Sequence, residues 1–79
     1  MSKESEKLLN TDNIFSLAET LREKSLYLQA LRNFEKALKG YLRLQDNNGI
    51  FNTLLALGDT HRMTGGFDRA VKRYSGAIE

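Results

Sequence analysis

The sequence predicts an all-α fold of two stacked antiparallel helix–turn–helix repeats, an α-solenoid fragment. Three observations lead to this prediction. The chain contains no Pro, the strongest helix breaker. Its apolar residues recur three and four positions apart in four segments, which is the spacing of one helix face. No segment alternates polar and apolar residues as a strand does, and 79 residues allow only one small domain.

The first predicted repeat covers residues 11–49 and follows a polar lead-in, 1–10, that is either disordered or a short helical extension. Asn10 or Thr11 is the predicted N-cap of the first helix, because each side chain can accept a backbone N–H bond. The second helix is predicted over 27–44. The apolar faces of these two helices comprise Ile14, Leu17, Ala18, Leu21, Ala30, Leu31, Phe34, Ala37, Leu38 and Tyr41.

The second predicted repeat covers residues 50–79, after a loop at 45–49 that is rich in turn-forming residues. Its first helix begins near Ile50 and ends at the Gly-Gly pair 65–66, because glycine tolerates the left-handed conformation that closes many helices. Its second helix follows that pair directly. The apolar faces of these two helices comprise Leu54, Leu57, Gly58, His61, Ala70, Val71, Tyr74, Ala77 and Ile78.

An offset of 40 residues aligns the two repeats without a gap. The matched positions include Ile14 with Leu54, Leu17 with Leu57, Ala18 with Gly58, Leu21 with His61, Ser25 with Gly65, Ala30 with Ala70, and Phe34 with Tyr74. Small residues recur where paired helices must approach closely, and large residues recur beside them, which is how helices interlock. The alignment therefore indicates two copies of one structural unit.

These matched residues resemble the tetratricopeptide repeat (TPR) family. The second repeat carries nearly the whole family pattern in Leu54, Leu57, Gly58, His61, Gly65, Phe67, Ala70, Tyr74 and Ala77. The first repeat matches more loosely, and the 40-residue offset is similar to the longer TPR variant rather than to the usual 34-residue unit. The resemblance implies a protein–protein interaction module, a scaffold or adaptor, and no enzyme.

In that family the first helix of each hairpin lines a groove that holds a peptide or helix of a partner. The resemblance implies seven partner-binding residues here: Phe15, Glu19, Arg22, Asn52, Leu55, Asp59 and Arg62. It places five further residues in the same groove: Asp12, Ser16, Glu23, Ala56 and Met63. Phe15 and Leu55 are apolar, lie off the core stripe and occupy matched positions. The alternative, purely structural interpretation of this apolar pair is that it only fills the contact between helices.

The sequence predicts no catalytic, cofactor or metal site. His61 is the single histidine, cysteine is absent, and no Gly-rich phosphate loop occurs. Catalysis and metal binding both need several converging side chains, and none is spaced for it around His61. We therefore expect His61 to be a packed structural residue.

Charge and hydropathy leave two other hypotheses open. The net charge is +2, no apolar run is long enough to span a membrane, and the polar start does not resemble a targeting peptide, so a cytoplasmic protein is expected. One alternative function is nucleic-acid binding through a basic outer face. That face comprises Arg32, Lys36, Lys39, Arg43, Arg69, Lys72 and Arg73. The other is homodimerisation through an open C-terminal end, because no predicted helix follows the last one to cover Val71, Tyr74 and Ile78. Two repeats are also fewer than most arrays contain, so the chain is expected to be part of a longer one.

Overall fold

The structure is a computed structural model that describes residues 3–78, and it contains four α-helices in that range. The helices are α1 (Lys3–Glu23), α2 (Tyr27–Leu44), α3 (Asn47–Met63) and α4 (Phe67–Ile78). Each helix packs against the next one along the chain, and only short turns join them. The predicted fold of two helical hairpins is confirmed.

The turns inside the two hairpins have the same backbone geometry at an offset of 40 residues. In the second hairpin the Gly66 N–H donates to the His61 carbonyl at 2.8 Å, and Gly65 adopts a φ of +81°. In the first hairpin Leu26 donates the corresponding bond at 2.9 Å, and Ser25 adopts a φ of +62°. This is the Schellman arrangement, which satisfies carbonyls left over at a helix C-terminus. The structural repeat therefore extends to individual backbone bonds.

The predicted start of the first helix at Asn10 or Thr11 is wrong. Helix α1 already begins at Lys3, and Thr11 lies well inside it. The Thr11 hydroxyl does not cap the helix but donates to the Lys7 carbonyl one turn earlier, at 2.8 Å. Residues 3–10 contain neither Gly nor Pro, and Lys, Glu and Leu are good helix formers, so nothing in this segment ends the helix.

The predicted loop at 45–49 is also wrong in its extent. Only Gln45 and Asp46 connect α2 to α3. The Asp46 carboxylate accepts the Gly49 N–H at 3.2 Å, so Asp46 caps a helix whose first turn includes Gly49. A Cβ at position 49 would overlap the Tyr41 ring. This glycine therefore serves close packing between α2 and α3 and not a turn.

The core lies where α2 and α3 meet their neighbours. Phe34 and Leu57 are its largest fully buried apolar side chains, and Thr53 and Thr60 are buried beside them. Each of these threonines donates its hydroxyl to the carbonyl four residues earlier, at 2.7 Å, so neither buries an unsatisfied polar group. The smaller buried apolar residues are Ala18, Ala30, Ala37, Leu38, Ala56 and Ala70.

Two residues predicted for the apolar faces are exposed among those whose side chains the structure describes, and the side chain of Ile78, also predicted there, lies outside them. Leu17 is 50% exposed although its partner in the repeat alignment, Leu57, is fully buried. Val71 on α4 is exposed as well. Helix α2 covers the face of α3 that carries Leu57, whereas no helix in residues 3–78 covers the corresponding face of α1. The repeat pattern thus identifies the equivalent faces, and the neighbouring helices decide which of them are buried.

Candidate functional site

A shallow depression of about 330 Å³ lies between α1 and α3, the first helices of the two hairpins. It is lined by Phe15, Glu19, Arg22, Asn52, Leu55, Ala56 and Asp59. All seven are at positions that the family resemblance places in a groove, and Ala56 also belongs to the core cluster beneath. The structure thus brings together residues that are up to 44 positions apart in the sequence. We call this surface the α1–α3 groove.

The apolar part of the groove is held by aromatic contacts. The Phe15 ring meets the Phe34 ring edge-on, with centroids 5.4 Å apart and planes at 66°. It meets the Tyr41 ring in a similar way at 6.4 Å. Phe15 and Leu55 are each partly buried, so part of each side chain still faces the groove. Phe15 therefore both supports the helix pair and contributes to the groove surface.

The charged residues of the groove form pairs along each helix. Glu19 and Arg22 approach to 4.0 Å on α1, and Asp59 and Arg62 approach to 3.7 Å on α3. Both pairs are at least partly exposed, and exposed ion pairs contribute only about 0–1 kcal/mol to stability. Their charges therefore remain available to a partner at small cost to the fold.

The two arginines of these pairs have different surroundings. The Arg22 side chain is only 22% exposed, and its guanidinium carbon lies 5.6 Å from the centre of the Phe34 ring, within cation–π range. The Arg62 side chain is 59% exposed and lies outside the groove lining. The two arginines predicted as equivalent thus occupy one half-buried and one open position.

Two tyrosine hydroxyls tie the groove helices to the outer helices. Tyr74 on α4 donates to Asp59, and Tyr41 on α2 donates to Asp12 on α1. The pKa of the Tyr74 hydroxyl is raised, first by this hydrogen bond to a carboxylate and then by burial. The pKa of the Tyr41 hydroxyl is also raised, mainly by burial and next by the bond to Asp12. Both phenols therefore stay protonated as donors at neutral pH.

His61 is buried, as expected for a packed structural residue. Its pKa is lowered, first by burial and then by the positive charges of Arg73 and Arg69, while Glu35 acts in the opposite direction. No group of three or more potential metal ligands occurs within residues 3–78. Both causes favour the neutral form of the imidazole. His61 lies on the far side of α3 from the groove residues.

A second open surface lies between α1 and α2 and was not predicted. It encloses about 610 Å³ and is lined by Leu17, Leu21, Gln29, Arg32, Asn33, Glu35, Lys36 and Lys39. We call it the end slot. The sequence did contain a signal for this surface, because Leu17 aligns with Leu57 in the repeat. A neighbouring helix buries Leu57, and a further helix would be needed to bury Leu17 in the same way.

Two matched helical hairpins, with a groove lined by the first helix of each, define a helical-repeat scaffold. The chain belongs to the tetratricopeptide repeat family, whose model matches residues 7–79. The family resemblance is thereby confirmed; repeats of this family form a non-catalytic scaffold and generally mediate protein–protein interactions. No curated protein and no solved structure matches the chain. Within residues 3–78, none of the helices has the length and apolar character required to cross a membrane.

Proposed function

We propose that the α1–α3 groove binds a peptide or helix of a partner protein, and that the chain acts as a scaffold or adaptor and not as an enzyme. The observation that supports this proposal is the convergence of Phe15, Glu19 and Arg22 from α1 with Asn52, Leu55 and Asp59 from α3 on one depression. Apolar surface flanked by a few charges is the composition expected of a recognition groove.

Affinity and specificity arise from different residues in this proposal. Burial of apolar surface contributes about 25 cal/mol per Å², so Phe15 and Leu55 supply most of the affinity. The exposed charges of Glu19 and Asp59 contribute little energy but disfavour partners of the wrong sign. A partner segment with apolar anchors spaced to reach both helices therefore fits the groove.

The experiment is selection of peptides from a random display library on the intact chain, followed by calorimetry with the selected peptides. Leu55→Ala should weaken binding about tenfold or more while circular dichroism keeps its helical signal. Leu28→Ala is the matched control, because Leu28 is an exposed leucine on α2 outside the groove. Equal affinities for Leu55→Ala and the unaltered chain would exclude the groove as the binding site.

Self-association through α4 is a second candidate. Phe67 and Val71 lie one turn apart on α4 and are both exposed. Two copies could cover them by a two-fold contact, the commonest symmetry of soluble oligomers. Sedimentation velocity over a hundredfold concentration range should then show a dimer, and Val71→Glu should return it to the monomer. A monomer at every concentration would rule this candidate out.

A further inference from the structure

The end slot has a filled counterpart within the same chain. At an offset of 40 residues its floor, Leu17 and Leu21, corresponds to Leu57 and His61. Those two residues are buried where α2 packs against α3, and Glu35 of α2 pairs there with Arg73 of α4. The chain thus shows one such slot with a helix in it and one without.

Helix α2 shows what a helix must offer to fill such a slot. Leu31 packs toward the slot floor beside His61, and Leu38 joins the core cluster that contains Leu57. Between these two leucines Glu35 accepts a hydrogen bond from Arg73 on the slot wall. The occupant therefore presents leucines two turns apart with a carboxylate between them.

The open slot is lined by more basic residues than the single carboxylate in its lining can neutralise. Arg32, Lys36 and Lys39 line it, are all exposed, and pair with no carboxylate among residues 3–78. Glu35, the acidic residue in the lining, is already held by Arg73. The occupant must bring negative charge of its own.

The same charges argue against a second copy of this chain in the slot. Its α4 is the helix equivalent to α2 and has an exposed apolar face, but it carries three basic residues and one acidic residue. Although α2 is itself basic overall, it brings Glu35 to the wall of the slot that it fills, whereas α4 carries Ser75 at that position and would offer no carboxylate to Arg32, Lys36 and Lys39. We therefore propose that the end slot binds an acidic amphipathic helix of another polypeptide, with leucine-type residues on Leu17 and Leu21 and carboxylates facing Arg32, Lys36 and Lys39.

The test uses peptides built from α2, whose apolar face is known to fit a slot of this kind. One peptide has the sequence of residues 27–44 with Arg32, Lys36, Lys39 and Arg43 replaced by Glu. The second is the unaltered sequence, and the third is a scramble of the acidic one. At about 50 mM salt we expect the acidic peptide to bind at least tenfold tighter than either control, and to weaken as salt rises.

Variants of the chain locate the site. Leu17→Asp should abolish binding of the acidic peptide, and Lys36→Glu with Lys39→Glu should reverse the preference between the acidic and the unaltered peptides. Leu28→Asp places the same charge at another exposed leucine of the same hairpin, outside the slot, and should leave binding unchanged. Circular dichroism checks that each variant is folded.

Several outcomes would overturn the proposal. Equal binding of the scrambled peptide would show a diffuse charge effect, and binding that survives Leu17→Asp would show that the peptide replaces α2 or binds elsewhere. Tight binding of a single-stranded RNA that is indifferent to Leu17→Asp would make the basic face a nucleic-acid surface. Leu55→Ala should leave this binding intact, so failure here is distinguishable from failure of the α1–α3 groove.

Discussion

The two repeats share a pattern and differ in what surrounds them. Leu57 on α3 is fully buried in the core cluster that includes Phe34 and Leu38 of α2, whereas its counterpart Leu17 on α1 is half exposed. Thr60 is fully buried, and its counterpart Thr20 is exposed. For these matched residues, the neighbouring helices therefore decide how far each side chain is buried.

The largest effect should come from truncating the matched leucines. Leu57→Ala removes a fully buried side chain and should lower the free energy of unfolding by about 2–5 kcal/mol. Leu17→Ala, at the half-exposed counterpart, should cost less than about 1 kcal/mol. Urea unfolding followed by circular dichroism measures both. Equal losses would mean that α1 is covered in solution.

The next effect concerns the small residue at the crossing of each hairpin. A Cβ at Gly58 would lie 2.5–2.9 Å from three atoms of the Tyr74 ring, whose hydroxyl is bound to Asp59. Gly58→Ala should therefore displace the ring and destabilise the chain by about 1–3 kcal/mol, despite the better helix propensity of Ala.

The matched control for this change is Ala18→Gly in the first repeat. Ala18 already accommodates its Cβ beside Phe34 in the core cluster. This control should cost about 1–2 kcal/mol, because it lowers helix propensity and removes one fully buried methyl group. Stabilisation by Gly58→Ala would show that the ring moves freely and that the hydrogen bond to Asp59 is weak.

A smaller effect is expected at the turns. Gly65 and Ser25 both adopt positive φ, and a Cβ at position 65 would meet no atom within 4 Å. Gly65→Ser should therefore cost about 0.5–1 kcal/mol from backbone strain alone, and Ser25→Gly should recover a similar amount. Thermal unfolding of the two single variants and of the exchanged pair tests this symmetry. A stabilising Gly65→Ser would contradict it.

The smallest expected effect is a pH dependence confined to the second repeat. The pKa of His61 is lowered in the folded chain by burial and then by Arg73 and Arg69, so the unfolded chain binds a proton more readily. The stability that His61 supports is present above its unfolded pKa of about 6.5 and is lost as pH falls toward the folded pKa.

The variant His61→Leu tests whether His61 causes this pH dependence, because Leu is the residue that the first repeat carries at the matched position, Leu21. Urea unfolding of both chains between about pH 5.5 and 7.5 should show a flatter profile for the variant. Parallel profiles would place the pH dependence in other groups. The first repeat has no histidine, so it offers no competing signal in this range.

Much of this architecture was predictable because it is periodic. Both ends of α2, Tyr27 and Leu44, were predicted correctly, and the hairpin turns at Ser25 and Gly65 were predicted at matched positions. The helix start at Thr11 was mispredicted because a threonine hydroxyl serves equally as a cap and as a donor within a helix. Gly49 was assigned to a loop because its close contact with Tyr41 spans two helices and leaves no local signal.

The candidate groove shows the same division. The repeat alignment selected Phe15 and Leu55, and Glu19 and Asp59, as equivalent pairs. Arg22 packs on Phe34, whereas Arg62 stays in solvent. This difference depends on distances between helices, which residue spacing in the sequence does not give. The groove assignment itself remains a prediction for the binding experiments.

The sequence by itself determined the helical fold, the 40-residue repeat and the sets of residues that occupy equivalent faces. These follow from helix periodicity and from the small residues that let two helices approach. Only the tertiary structure decided which equivalent faces are buried and which remain open, as at Leu57 and Leu17. Burial is a property of the neighbouring helix as much as of the residue, and two equivalent patterns acquire different environments when one is covered by a helix and the other is covered by none among residues 3–78.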